Sequence, residues 1–320
     1  MPIVTQRFVD NAWRRNCDFI TLDLEDSVPR HLKAHARSLV KDAIPNVAKG
    51  GADVSVRINH DTALADLNGA VWPGLLKIRY PKAESAEEIR AIDDVITRLE
   101  RERGIRPGTI EIGTGIETAA GVAHAYEIAS ASPRIKEFGG GNGYDMSCNL
   151  GMEMFVGFDQ FIYTKGEVEL TARTLNMAPV RTVPFVINRT GNVKDGDRAL
   201  REAVGALKCG FRGSGGGLNP AVVESHNKGY TPSEDDRADA RWVLEQFRKL
   251  DGTHESWLEI DGRVIDRYEA ALARETLAWA AQCAARDEEK AAAVARAKSI
   301  LAATTKIESA PPTGDSKKSK

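Results

Sequence analysis

Glu117 closes the run IEIGTGIE (110–117), and Asp145 follows the glycine-rich run GGGNG (139–143). Each run reads as a strand ending in a turn, so two carboxylates arrive from the ends of successive strands. Such a pair suits a hard divalent cation, which takes oxygen donors and completes its shell with water or substrate oxygens. Other candidates are weaker. His31 and His35 stand four apart, as zinc ligands on a helix face do, but no third ligand accompanies them, and a solvated face is the simpler reading. Neither GGGNG nor GSGGG (213–217) has the G-x-G-x-x-G spacing of a dinucleotide fingerprint, so both read as loops beside a site. Lys82 is within reach of an acid or a phosphate at the same mouth, although an exposed lysine is the default.

Strands must hold these acids in place. Ile20, Leu22 and Leu24 alternate with Phe19, Thr21, Asp23 and Glu25. Val54, Val56 and Ile58 alternate with Ser55, Arg57 and Asn59, which puts Arg57 on the same kind of face as Glu25. Further strands are predicted at 75–81, 110–117, 135–138 and 180–186. Helices are predicted between them at 30–47, 122–130, 168–175 and 198–207, and one more is opened by a capping box at Ser85–Glu88 and stopped by Gly104. This alternation implies a parallel sheet. Faces carrying Asp23, Glu25, Arg57, Lys77, Arg79, Glu111 and Glu117 could not lie under packed helices, but opposite charges can neutralise one another inside a small closed barrel. The predicted fold class is therefore α/β, with closure of the parallel strands into a barrel over 1–229 favoured over an open sheet. Thr231-Pro-Ser-Glu234 reads as a second capping box opening a helix to about Lys249, then comes a short irregular stretch, and an Ala-rich helix runs from Ile265 to about Ala302. Residues 230–305 read as a helical subunit-contact or lid region and 306–320 as a disordered tail.

Composition narrows the function classes. The 320 residues carry a formal net charge of -2, which argues against bulk attraction to nucleic acid or to an anionic membrane. The 4 cysteines form no C-x-x-C pair, so neither a disulfide framework nor a zinc knuckle is expected, and a reducing cytoplasm is the simplest compartment. No apolar run is long enough for a membrane helix, and the start lacks the order of a signal peptide.

Six stretches are more specific: FITLDLEDSVPRHLKAHAR (19–37), VRIN (56–59), YPKAESAEEIRAI (80–92), GIETAAGVAHAYEIASASPRI (115–135), YTPSEDD (230–236) and DGRVID (261–266). In this order and spacing they resemble the citrate lyase β-subunit-like branch of the HpcH/HpaI aldolase superfamily, to which malyl-CoA lyase belongs. The resemblance implies a (β/α)8 barrel, a Mg2+ ion, a homotrimer or hexamer, and Claisen-type making or breaking of a carbon–carbon bond in a small 3-hydroxyacyl-CoA. Its partners would be a 2-oxo acid and an acyl-CoA. Carried over residue by residue, it makes Glu117 and Asp145 the metal ligands and Arg57 the clamp on the oxo-acid carboxylate. It places Gly143 and Tyr144 against the substrate and gives Glu25 and Asp26 the task of holding metal-bound water. Asp266 becomes a general acid/base lent by a neighbouring subunit.

The chain also departs from that pattern. MPIVT is too short for the first barrel strand, so the first strand reads as truncated: either the sequence starts inside a longer frame or the barrel closes differently. The last strand, G-K-W-A-I-H-P in the family, is Gly213-Ser-Gly-Gly-Gly-Leu-Asn-Pro220 here, and Thr182 stands where an acid is common. These changes fall on one side of the mouth. The metal and oxo-acid half is therefore expected intact and the CoA half altered. Alternatives to a Mg2+-dependent lyase are a CoA-independent aldolase for a hydroxy-oxo acid, a thioester hydrolase, and a catalytically degenerate member.

Overall fold

Seven parallel strands follow one another around a single sheet in chain order: β1 (Phe19–Asp23), β2 (Asp53–Arg57), β3 (Lys77–Tyr80), β4 (Glu111–Ile116), β5 (Ile135–Gly140), β6 (Ala178–Thr182) and β7 (Ser214–Gly215). The structure, a computed structural model, describes residues 1–141, 143–153, 160–182, 194–215 and 219–308, the side chains of 178–182, 214–215 and 304–308 excepted. Helices α1 (Gln6–Asn11), α2 (Lys33–Val47), α3 (Ala63–Ala70), α4 (Ala86–Glu102), α5 (Ala119–Ala123), α6 (Ala125–Ser130), α7 (Tyr144–Asn149), α8 (Ile162–Thr174), α9 (Gly196–Lys208) and α10 (Val223–Tyr230) precede, connect or follow the strands. One face of each early strand is aliphatic: Leu22, Val54, Val56, Ile78 and Ile112 are buried against helical residues such as Val40, Ile44, Ile89 and Ile96.

The other face is charged and curls on itself. Lys77, on β3, lies 3.2 Å from Glu111 on β4 and 3.0 Å from Glu137 on β5, and its ammonium stands 4.5 Å from the ring centre of Phe19 on β1. One side chain thus meets three other strands, which a flat sheet with strands about 4.8 Å apart would not bring together so readily. Arg79 also pairs with Glu137, at 3.0 Å. Burial alone would raise the Glu137 carboxyl, but Arg79 and Lys77 outweigh it and hold the group below its ordinary range. The fold is the (β/α)8 barrel with a reduced first strand. In that strand's place, Pro2 makes one parallel bridge to Asp23, the Asp23 amide donates to the Met1 carbonyl at 2.9 Å, and Ile3 is buried.

Several sequence expectations need correction. The helix expected at 122–130 is two short helices, α5 and α6, meeting at His124. The strand expected at 180–186 is β6, ending at Thr182; residues 183–186 lie outside the described residues, as do 216–218 of the altered last-strand segment. The capping box placed on Thr231 is two residues off: Ser233 caps α11 (Glu234–Phe247) and Asp236 returns the bond to the Ser233 amide. The stretch read as irregular is a β-hairpin, β8 (Trp257–Ile260) and β9 (Arg263–Asp266). Its turn residues, Asp261 (φ 51°) and Gly262 (φ 79°), are both left-handed, as a type I′ turn requires. The last helix, α12 (Arg267–Glu308), therefore starts two residues later than expected. Its middle packs across the strand starts: Arg286 lies 2.9 Å from Asp53, and the buried Lys290 lies 2.8 Å from Asp18.

Candidate active site

The C-terminal ends of β1 to β4 bring Asp23, Glu25, Arg57, Lys82 and Glu117 to one mouth, and α7, after β5, adds Asp145 in its first turn. Arg57 ends β2 directly beside Asp23, which ends β1. Its Nε donates to Asp23 Oδ1 at 2.8 Å and its Nη2 to Oδ2 at 2.7 Å, while Nη1 lies 2.6 Å from Glu25 Oε2 and 3.6 Å from Asp26. The side of the guanidinium fork that Nε and Nη2 form is thus held by Asp23, and Nη1 points toward the acids. Burial would raise the Asp23 carboxyl, but the Arg57 bonds and charge, with Ser27, bring it down to about 2. Asp26 is mostly exposed.

Behind this pair is a polar frame that the sequence did not single out. Lys33, at the start of α2, donates to the carbonyls of Leu24 and Glu25, both at 2.7 Å, and to Asn59 Oδ1 at 2.6 Å. Asn59 donates to Asp66, which is fully buried and paired with Arg37 at 2.6 Å. All three donors of the Lys33 ammonium are used, so the loop that carries Glu25 is fixed by its backbone. The alternation places Asn59 at a strand end, but nothing in a single sequence says that Lys33 turns inward.

Glu117 follows β4. Its carboxylate folds back over Gly115, where a Cβ would stand 2.5 Å from Oε1, so only glycine leaves the acid its place. The next residue, Thr118, caps α5 by accepting from the Gly121 amide at 3.1 Å, and Asn149 of α7 accepts from the Ala119 amide at 2.8 Å. This last bond ties the element carrying Asp145 to the one carrying Glu117. The approach is made possible by Gly140 (φ 128°), where a Cβ would lie 2.3 Å from the Ile116 carbonyl oxygen. Gly143 (φ 105°) stands before α7 and Tyr144 is its first residue.

The electrostatics mark this group as short of positive charge. Burial pushes the Glu117 carboxyl up to about 7, with the charges of Asp145 and Glu25 adding to the rise. Burial also raises Glu25, against the pull of Arg57 and Lys82. Lys82, for which an exposed position is the default and an acid at the mouth the alternative, takes the alternative: it is 3.0 Å from Glu25 Oε1 and 3.2 Å from Asp145 Oδ1. Among the described residues no three Asp, Glu, His or Cys side chains converge as a closed metal cage, His31 and His35 included. Two acids that repel each other, with a third close by, still fit Mg2+, which keeps most of its shell as water or substrate oxygens.

Asp266 is not at this mouth within the chain. It ends β9 and its Oδ1 caps α12, accepting from the Tyr268 amide at 2.8 Å and the Glu269 amide at 3.0 Å. It lines a cavity of about 530 Å3 with Ser256, Trp257, Val264, Arg267 and Tyr268, and none of these residues belongs to the barrel.

Comparison with known proteins agrees with the motifs. The family model for HpcH/HpaI aldolase/citrate lyase matches residues 1–212. Citrate lyase subunit beta of Leuconostoc mesenteroides subsp. cremoris is 30% identical over 262 residues, 81% of this chain and 84% of that one. An L-malyl-CoA/beta-methylmalyl-CoA lyase of Cereibacter sphaeroides is 30% identical over 272 residues, 78% of this chain and 83% of that one. Among solved structures, the protein CitE of Mycobacterium tuberculosis, in complex with magnesium, acetoacetate and coenzyme A, shares the fold, with a TM-score of 0.64 and 22% identity over 85% of this chain and 95% of that one. The chain belongs to the HpcH/HpaI aldolase/citrate lyase family and is a carbon–carbon lyase of that family.

Proposed function

We propose that the chain is a Mg2+-dependent lyase that cleaves, or in reverse forms, a small 3-hydroxyacyl-CoA of the malyl-CoA type. The observation that carries the reading is the meeting of Glu117, Asp145 and Glu25 beside the guanidinium of Arg57 at one end of the barrel. Glu117 and Asp145 would hold the Mg2+, which supplies Lewis-acid polarisation of the oxo-acid carbonyl. Arg57 binds the carboxylate of the 2-oxo acid through Nη1, the nitrogen not bonded to Asp23. Glu25, Asp26 and the backbone clamp of Lys33 keep that guanidinium aimed at the mouth, and Gly143 and Tyr144 border the oxo acid. Asp266, reaching in from a neighbouring copy in a homotrimer or hexamer, moves the proton at the carbon next to the thioester carbonyl. In cleavage the Asp266 carboxylate takes the 3-hydroxyl proton, the C–C electrons pass to the acyl-CoA as an enolate, and Asp266 delivers that same proton to the enolate carbon. The described residues include no helix long and apolar enough to cross a membrane.

Two expected outcomes follow from the geometry. Gly115→Ala places a methyl against Glu117 Oε1, and a misplacement of this size costs on the order of a hundredfold in kcat/KM, while far-ultraviolet circular dichroism stays at wild type. The second concerns pH. In the metal-free protein Glu117 keeps its proton up to about 7, against 4.5 ordinarily. The native state then binds more protons than the unfolded one across that window, so stability falls as pH rises through it. Mg2+ needs the ionised carboxylate, so its affinity rises across the same window, and calorimetric titration at about pH 6 and pH 8 checks the direction.

The substrate reading is tested by offering malyl-CoA and, separately, a free 4-hydroxy-2-oxo acid, with phenylhydrazine trapping the released oxo acid. Cleavage of the CoA ester is the expected result. Cleavage of the free acid alone would transfer the site to the CoA-independent aldolase reading.

A further inference from the structure

Lys82 occupies the place where the acids most need a cation. It follows Pro81 at the end of β3, and its backbone is left-handed, with φ 54°, a conformation unfavourable for a non-glycine residue. That backbone directs the side chain across the mouth. The ammonium joins Glu25, beyond β1, to Asp145, beyond β5, at 3.0 and 3.2 Å. Among the described residues it makes the only ion pair with Asp145. The side chain is 31% exposed, so it is not wedged in place, and its four-carbon stem can swing without moving the strand.

We propose that Lys82 is a built-in counter-cation: it holds the acid cluster together when no metal is bound, and it gives up Asp145 when Mg2+ binds. The inference rests on the reading of Glu117 and Asp145 as the metal's ligands. An Asp145 oxygen bonded to an ammonium is less available to a metal, and a unit positive charge a few ångströms away opposes a second cation. Lys82 therefore weakens metal binding while stabilising the metal-free protein. After the exchange its ammonium stays on Glu25, next to the oxo acid's negative charge, so the charge is passed from ligand to substrate rather than lost to solvent.

Titration of Mg2+ into the full chain by calorimetry tests this, with melting temperature as a second readout. Lys82→Met is expected to bind Mg2+ on the order of tenfold more tightly than wild type. Its metal-free form melts lower than wild type, and saturating Mg2+ removes most of that difference. Lys82→Arg, which keeps the charge, binds within about threefold of wild type. If Met packs badly, Lys82→Gln gives the same comparison. A merely structural lysine would not tighten metal binding when removed. Unchanged or weaker Mg2+ binding in both neutral variants, with binding lost in Asp145→Asn, overturns the proposal and leaves the metal site standing. Wild-type binding in Asp145→Asn and Glu117→Gln overturns the metal site itself, and this inference with it.

Discussion

Glu117→Gln and Asp145→Asn are each expected to lower Mg2+-dependent cleavage of malyl-CoA on the order of a thousandfold in kcat, since a metal at the reacting carbonyl supplies several kcal/mol. The loss should not trace to misfolding. Glu117 is held against its own charge by burial and by Asp145 and Glu25, so the neutral amide relieves a repulsion. Metal-free Glu117→Gln is therefore expected to melt above metal-free wild type at pH 8, where the native acid is ionised. At about pH 5 the difference shrinks, because wild type is then protonated as well. Activity falling while stability rises is a pairing that a structural role for Glu117 would not produce. Wild-type activity in both variants would remove the metal from the mouth.

Arg57→Ala is expected to strike both stability and chemistry. Asp23 is 4% exposed and Glu25 6% exposed, and both face Arg57, so truncation leaves two buried carboxylates without their main cation. Removing one partner of a buried pair costs about 3 kcal/mol or more. The lower figure applies because the guanidinium is 30% exposed. In the synthetic direction KM for the oxo acid should rise on the order of a hundredfold, as expected for a lost charged hydrogen bond. Arg57→Lys separates the two effects. The ammonium restores much of the charge balance, so the melting temperature recovers, but it cannot bond Asp23 through a fork and reach the oxo acid at once. KM should therefore stay high. Recovery of KM along with stability would make Arg57 a structural residue.

The barrel was legible wherever strands carry apolar and charged residues in strict alternation. Ile20, Leu22 and Leu24 against Asp23 and Glu25 leave no choice of face, and the inward charges of Lys77, Arg79 and Glu111 demanded partners. Glu137, the acid that takes both Lys77 and Arg79, is not singled out by the sequence, because the short strand at 135–138 shows no apolar alternation long enough to assign an inward face. The hairpin does carry a local signal: Leu258 and Ile260 precede Asp261-Gly262, and Val264 and Ile265 follow it, and that dipeptide between such runs is a strong turn signal. The acids of the mouth came from motif spacing, and the structure brings Glu117, Glu25, Arg57 and Asp145 to one end of the sheet. Lys33 carries no such signal, and for Lys82 the sequence leaves an acid at the mouth and bulk solvent as alternatives. A lysine turned inward and a lysine turned to solvent have the same local sequence, and only the carbonyls and carboxylates contributed by distant strands separate them.

The most direct measurement of the account is product balance from malyl-CoA with the purified chain. With Mg2+ present, glyoxylate trapped as its phenylhydrazone and acetyl-CoA should appear in equal amounts, and chelation by EDTA should stop both. Free CoA thiol without glyoxylate would make the chain a thioester hydrolase, and cleavage that EDTA leaves unchanged would contradict a metal held by Glu117 and Asp145.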